Sequence, residues 1–374
     1  MNILRKGNGL IVLLVLCLAA AAGRAEERRP EGRVKAASGS VTVQSLGEPS
    51  PRPAVAGDPV FAQDRVTTGP EGRAEITLND GSLITLRPDS RIEVLDSRAN
   101  AARSSALLLI VGWLEAVVDP EAGSRLEVQT ASAVAGVRGT RFTVAGAADC
   151  ASRIAVERGQ VAVWGHAQKL TLAPDQQLTV DLSERPLHAR AAAAGEGEGT
   201  DFLAERSRRL VKHAGRMIGV MDREMETRTR AAEKTQQTVA KQFQKVEAAA
   251  RQADAAKNRP EAYAAARLEL KRELELNYGQ LRYLQYHDGY MVSCDEMLKQ
   301  LLADAQDHPG NYSPSGRKRV LAKQDRILGR DAAALHQANL AVIADYAGRL
   351  NALAAQYQLS GELTQPEIPV NTDW

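Results

Sequence analysis

The spacing of apolar residues changes from two to seven near residue 190, and no other feature of the sequence limits the fold as strongly. Before that point Ala74, Ile76 and Leu78 alternate with polar residues, and Asn79-Asp80-Gly81-Ser82 breaks the run. Ile84 and Leu86 resume it, Pro88-Asp89-Ser90 breaks it again, and Ile92 and Val94 follow. Alternation puts every second side chain on one face of a strand, and Asp-Gly accepts the positive φ of a tight hairpin. "RIAVERGQVAVW" repeats the device, with Ile154 and Val156, a turn at Arg158-Gly159, then Val161 and Val163. Further short strands are expected around Val41, Leu107 to Val111, Leu126, Leu170 and Leu178. Turn signals at this spacing without a helical period predict an all-β front region, solenoid- or sandwich-like.

Beyond residue 190 the pattern is helical. From Val211 an apolar or small residue recurs every seventh position at Ile218, Met225, Ala232, Val239, Val246 and Ala253. The companion positions Arg228, Thr235 and Gln242 are polar where a tight coiled coil places aliphatics. Asn258-Arg259-Pro260 ends this helix, and Pro260 suits the first turn of the next. The second helix carries Tyr263, Leu270, Leu284, Met291 and Leu298, with Leu274, Leu281 and Leu302 beside them. After a loop at Asp307 to Gly316, a third helix is expected through Leu321, Leu328, Leu335, Val342, Tyr346 and Leu353. Helices of about 45 to 55 residues would run roughly 65 to 80 Å, which predicts an extended bundle or coiled coil. The fold class expected is therefore multi-domain α and β. A signal segment at 1–25 precedes an all-β domain at 32–185. A linker at 186–200 follows, read from "HARAAAAGEGEGTD", then a helical region at 201–358 and a tail at 359–374.

The first residues read as an export signal. Arg5 and Lys6 precede an uncharged run whose apolar core, Leu10 to Ala22, is shorter than a membrane span. Gly23-Arg24-Ala25 offers small residues for cleavage before Glu26. Cys17 follows Leu16, whereas a lipidated cysteine wants a small residue before it. No later segment is apolar for long enough to cross a bilayer, so the processed chain is expected in the periplasm or outside the cell. Removing Arg5, Lys6 and Arg24 takes the formal charge from +2 to −1, which leaves no general attraction for nucleic acid or anionic lipid. Cys150 and Cys294 remain; in an oxidising compartment they could pair, or stand as independent thiols.

"VTTGPEGRAEITLNDGSLITLRPDSRIEV" (Val66 to Val94), followed by "VQTASAVAGVRGTRFTV", resembles the FecR domain, the periplasmic sensing module of bacterial iron-dicitrate-type signalling regulators. The features that carry the resemblance are Thr68-Gly69, Asp80-Gly81-Ser82, and Gly136-Val137-Arg138-Gly139-Thr140 leading into Phe142, with "VERGQVAVW" as the later hairpin. It covers about Gly32 to Val180 and implies a non-enzymatic, all-β interaction domain. The anti-sigma segment and membrane span that precede the domain in those regulators are not found before it here, and helices follow it. Within "VAGVRGTRFTV", Val134 and Val137 are expected to pack inward and Gly139 to take a bulge or a positive φ. Arg138 either bonds neighbouring loop carbonyls or forms an anion-binding pair with Arg141.

No reactive constellation stands out. The six histidines (His166, His188, His213, His287, His308 and His336) show no ligand spacing, and there is no nucleophile elbow, phosphate loop or Cys-x-x-Cys. Neither catalytic nor metal residues nor a cofactor are expected. Tyr283, Tyr286 and Tyr290 share a helix face, which is either a binding face or bundle core. "RSRRLVKHAGR" (Arg206 to Arg216) is a basic stretch best read as a charged helix face. The expected function is a non-enzymatic cell-envelope interaction or sensing protein, with an envelope protein as partner and self-association possible through the helices. Binding of cell-wall glycan or exopolysaccharide is the alternative.

Overall fold

The computed structural model describes residues 29–99, 104–119, 124–165, 168–182, 190–191 and 196–364. The expected signal segment, His166, His188, most of the expected linker and residues 365–374 lie outside the described residues.

The β region is two sheets that share one strand. The first runs β1 (Pro30–Ser38), β6 (Arg73–Leu78), β7 (Leu83–Leu86), β9 (Ser105–Val117), β12 (Arg141–Gly146), β13 (Ser152–Arg158), β16 (Gln176–Val180) and β17 (Arg190–Ala191). Every neighbouring pair in it is antiparallel. The second runs β3 (Arg52–Pro53), β2 (Val41–Gln44), β5 (Arg65–Thr68), β8 (Arg91–Val94), β9 again, β10 (Leu126–Gln129), β11 (Val134–Val137), β14 (Val161–Gly165) and β15 (Gln168–Leu172). Only β9 and β10 pair in parallel there. A short β4 (Pro59–Phe61) adds to β1.

The first half of β9 pairs with β8 and β10, and the second half pairs with β7 and β12. The crossing falls at Gly112, which has φ of 101°. A Cβ there would stand 2.4 Å from the Cα of Ser90, so only glycine lets the strand turn from one sheet into the other. The Trp113 N–H donates to Ser90 Oγ at 2.9 Å and fixes the corner. Alternation then explains why residues 106–110 are apolar without a break. Leu107 and Leu109 enter a core between the sheets, with Ile76, Ile84 and Leu86 from one side and Val43, Val66 and Ile92 from the other. Ala106, Leu108 and Ile110 face the opposite way, into a second core built with helices. A strand covered on both faces reads as a continuous apolar run.

The helical region comprises α1 (Glu196–Lys212), α2 (Ala214–Ala256), α3 (Pro260–Asp307), α4 (Pro314–Leu321), α5 (Gln324–Leu328) and α6 (Ala332–Gln356). Of the heptad positions, Ile218, Met225, Ala232, Val239, Val246 and Ala253 are all buried. They pack within this chain, because α2 and α3 form an antiparallel pair. The Asn277 amide donates to the Val239 carbonyl at 3.1 Å, and Thr229 Oγ1 donates to Met291 Sδ at 3.4 Å. Of the polar companion positions, Thr235 donates to Ala231 O of its own helix at 2.7 Å and the other two find partners on α3. Arg228 lies over the rings of Tyr286 and Tyr290, at 5.0 and 4.8 Å, and Gln242 donates to Glu273.

The long helices expected are present but do not stand free of the β region, because the second half of α3 lies against the second sheet and nearly every residue from Gly279 to Leu302 is buried. A helix covered on all sides loses its polar stripe. The third helix is three pieces. At Gly329 the N–H donates to Asp325 O at 2.9 Å and closes one turn, and the Asp331 carboxylate then accepts from the Ala334 N–H at 3.0 Å and starts α6. The stretch read as linker contains β17 and, from Glu196, the start of α1. Leu359 and Leu363, from the expected tail, are buried beside the α2–α3 pair.

Candidate docking junction and basic cleft

The outer face of the second sheet is where the helices sit, and it is held by charge. Glu93 on β8 pairs in register with Leu108, and Glu127 on β10 with Ala106, so both carboxylates share the outer face of β9. Both are buried. Glu127 accepts from the buried Arg282 of α3 and from Gln129 Nε2 at 3.1 Å. Glu93 accepts from Arg65 Nε at 3.0 Å and meets His336 Nε2 of α6 at 3.4 Å. The other nitrogen of His336 stands 2.7 Å from Asp288 of α3, whose second oxygen accepts from Asn339 Nδ2 at 2.8 Å. A third tie joins α1 to the loops of the β region. Arg206 lies 2.7 Å from Asp149 and 2.5 Å from Asp181, all three buried.

These surroundings set the protonation states. Burial disfavours the His336 imidazolium, but its hydrogen bonds to Asp288 and Glu93 and their charges outweigh that and carry its pKa up to about 10. Burial likewise opposes ionisation of Glu93, yet His336 and Arg65 bring its pKa below the usual value. Asp288, for which burial dominates, is raised. His287, next along α3, goes the other way. Burial and then the Arg228 charge push it down to about 3, so it is neutral beside the Tyr283 ring, 4.3 Å away.

A cleft of about 470 Å³ opens where β10, β11, β14 and β15 meet α3. Its walls include Arg125, Arg138, Lys169, Trp164 and the Glu127–Arg282 pair. Gly136 makes room for the tryptophan, since a Cβ there would meet Trp164 Cζ3 at 2.8 Å. Lys169 Nζ stands 5.1 Å from that ring. Among the described residues the indole N–H has no hydrogen-bond partner, and neither Arg125 nor Arg138 has an ion pair. Arg141 is not part of this cluster, because it pairs with Glu157 at 2.9 Å on the surface.

The remaining motif residues shape turns and core. Thr68 Oγ1 donates to Arg87 O at 2.7 Å and accepts from the Ser90 N–H at 2.9 Å, while the Gly69 N–H reaches Ser40 O at 2.8 Å. Asp80 receives the Ser82 N–H at 3.0 Å around Gly81, whose φ is 90°. Gly139 has φ of 65°, Thr140 Oγ1 donates to Gln160 O at 3.0 Å, and Phe142 lies in the core between the sheets. Residues 64–162 match the family model described as FecR protein. These residues form a FecR domain.

The family is one of regulatory, sensing proteins. Two crystal structures of a candidate anti-sigma factor from Parabacteroides distasonis are similar to this chain, at 20% and 19% identity, each with a TM-score of 0.31. In both comparisons the match covers 35% of this chain and 60% of the other, so this chain spans less than two thirds of those proteins. No curated protein matches the chain. No described helix is long and apolar enough to cross a membrane.

The FecR domain receives the tyrosines of α3 directly. Tyr283 and Tyr286 are buried against Val134 and Trp164, and Tyr290 is wholly buried in the core that α3 shares with β9. They sit inside the junction. Cys150 and Cys294 are free thiols, both buried in that same core. Arg206, read as part of a charged helix face, is instead the buried partner of two aspartates. Sequence reasoning missed Glu93, Glu127, Arg282, Asp288 and His336 as a functional set. One signal was available: Arg91-Ile92-Glu93-Val94 recurs as Arg125-Leu126-Glu127-Val128, on the two strands that flank the first half of β9.

Proposed function

We propose that this protein is a non-enzymatic component of the cell envelope that binds or senses a protein partner through its FecR domain, with the helices as a docking element fixed to that domain. The observation that carries this reading is the basic cleft. Arg125 and Arg138 approach it without an ion pair among the described residues, and the carboxylate of Glu127 in its wall is already engaged by Arg282. Such a site attracts an acidic segment by long-range steering and holds it by charge-assisted hydrogen bonds. The helical heptad positions are consumed within the chain, which supports docking rather than self-association as their role.

A second reading is favoured by Trp164. A tryptophan face beside arginines and a lysine also suits the rings and carboxylates of an acidic envelope glycan. One comparison separates the two. The full chain and its Arg125→Glu/Arg138→Glu variant are used to retain cross-linked partners from envelope extract, and Trp164 fluorescence is titrated with acidic oligosaccharides. A protein retained by the parent and lost from the variant supports the first reading. Saturable quenching with no protein retained replaces it by the second, and identical behaviour of parent and variant removes the cleft from both.

A further inference from the structure

Cys150 sits in the turn between β12 and β13, at the edge of the FecR domain, with φ of 63°. That left-handed conformation is one that glycine, asparagine and aspartate adopt readily and that a cysteine rarely takes. The turn is held on both sides: the Cys150 N–H donates to Ala147 O at 2.9 Å, and the Ala147 N–H to Ala151 O at 2.8 Å. Asp149, next to it, is clamped by Arg206 of α1. Cys294 lies in the buried middle of α3, where its thiol reaches toward the Met221 carbonyl at 3.6 Å. The two side chains belong to one apolar core, at 1% and 0% exposure, and the Cys294 thiol acts directly on that of Cys150. A backbone-strained cysteine whose thiol faces a second cysteine across a domain junction is placed as one half of a cross-link.

We infer that Cys150 and Cys294 are a modification site, joined by a disulfide that staples the FecR domain to α3. The oxidant is a disulfide of a thiol–disulfide exchange partner. The Cys150 thiolate attacks one sulfur of that disulfide and expels a thiolate, leaving a mixed disulfide. The Cys294 thiolate then attacks the Cys150 sulfur and expels the second thiolate. Two cysteine thiols lose two electrons and two protons, and the partner gains both as two thiols. The neighbouring Cys294 thiol and then burial raise the Cys150 thiol above its ordinary pKa, so the docked protein holds little thiolate. The bond therefore forms before α3 seats on the sheet, and seating then shields it from reductants.

The test uses the full chain, secreted into a bacterial periplasm, denatured without reductant, alkylated and digested. The expected result is a Cys150–Cys294 linked peptide, with neither cysteine alkylated until reductant is added. Alkylation of both before reduction, or a link from either to Cys17, overturns the inference. A second measurement reads the consequence. Reductant is expected to lower the Tm of the parent by ~5 °C and to leave that of a Cys150→Ser/Cys294→Ser variant unchanged; equal shifts in both would overturn the staple.

Discussion

The two faces of the second sheet are built on different principles. Its inner face, toward the first sheet, is Val43, Val66, Ile92, Leu107, Leu109 and Val128, with no charged group among them. Its outer face, under the helices, mixes Ala106, Leu108 and Ile110 with the buried Glu93, Glu127 and Gln129. Apolar packing is non-directional and tolerates exchange of similar volumes. Buried carboxylates tolerate nothing of the kind: each needs a cation held at a set position. The inner face makes a stable sandwich, and the outer face admits one docking of one helix pair.

The largest expected effect follows from removing one member of a buried pair. Arg282→Met leaves Glu127 buried and uncompensated, which should cost ~3–5 kcal/mol in denaturant unfolding. The double variant Arg282→Met/Glu127→Leu should recover most of that loss, because the desolvation cost of both charges goes with them. A double variant as unstable as the single one would break the contrast between the faces.

His336→Gln should cost about 3 kcal/mol at neutral pH, since two buried carboxylates lose their shared cation. The pH dependence has a definite sign. The folded pKa of His336 is raised to about 10, so its contribution is complete below the unfolded value near 6.5 and disappears as pH rises through 10. Glu93, whose folded pKa is lowered, contributes above its unfolded value and loses that contribution on acidification. Melting curves of parent and variant should therefore converge above pH 10; a constant gap from pH 7 to 11 would contradict the ion pair.

His287 sharpens the comparison from the opposite side. Its folded pKa is depressed to about 3, so its contribution is present above pH 6.5 and is lost as pH falls toward 3. His287→Phe should flatten that acid limb by about 3 kcal/mol, read from melting at pH 4 and 7.

The smallest effect on stability is expected in the cleft. Arg138 is exposed and unpaired among the described residues, so Arg138→Ala should change unfolding by less than about 0.5 kcal/mol while weakening whatever the cleft binds. A larger loss of stability would make Arg138 a structural arginine of its turn.

The same contrast explains what the sequence made legible. Alternation, Asp80-Gly81 and Arg158-Gly159 mark strands and hairpins because strand faces and turns are local matters. The FecR resemblance rests on those turns. The heptads mark α2, and the seam of Leu270, Leu284, Met291 and Leu298 marks α3. Glu93 and Glu127 read as ordinary solvent-facing positions of a strand, because what makes them buried is on other elements; Arg282 lies 155 positions beyond Glu127. The break of the last helix at Gly329 was hidden by an unbroken apolar spacing on either side. Trp164 packs into the cleft over Gly136, which the sequence had marked only as part of the family motif.

The strand common to both sheets also limits how the molecule can move. Sliding β9 along its own axis would tear four hydrogen-bonded ladders at once, so that coordinate is stiff. The corner is itself tied, by the pairing of Gly112 with Gly146 and by the Trp113 N–H on Ser90 Oγ, so a push from α3 onto Leu108 and Ile110 bears on both sheets together.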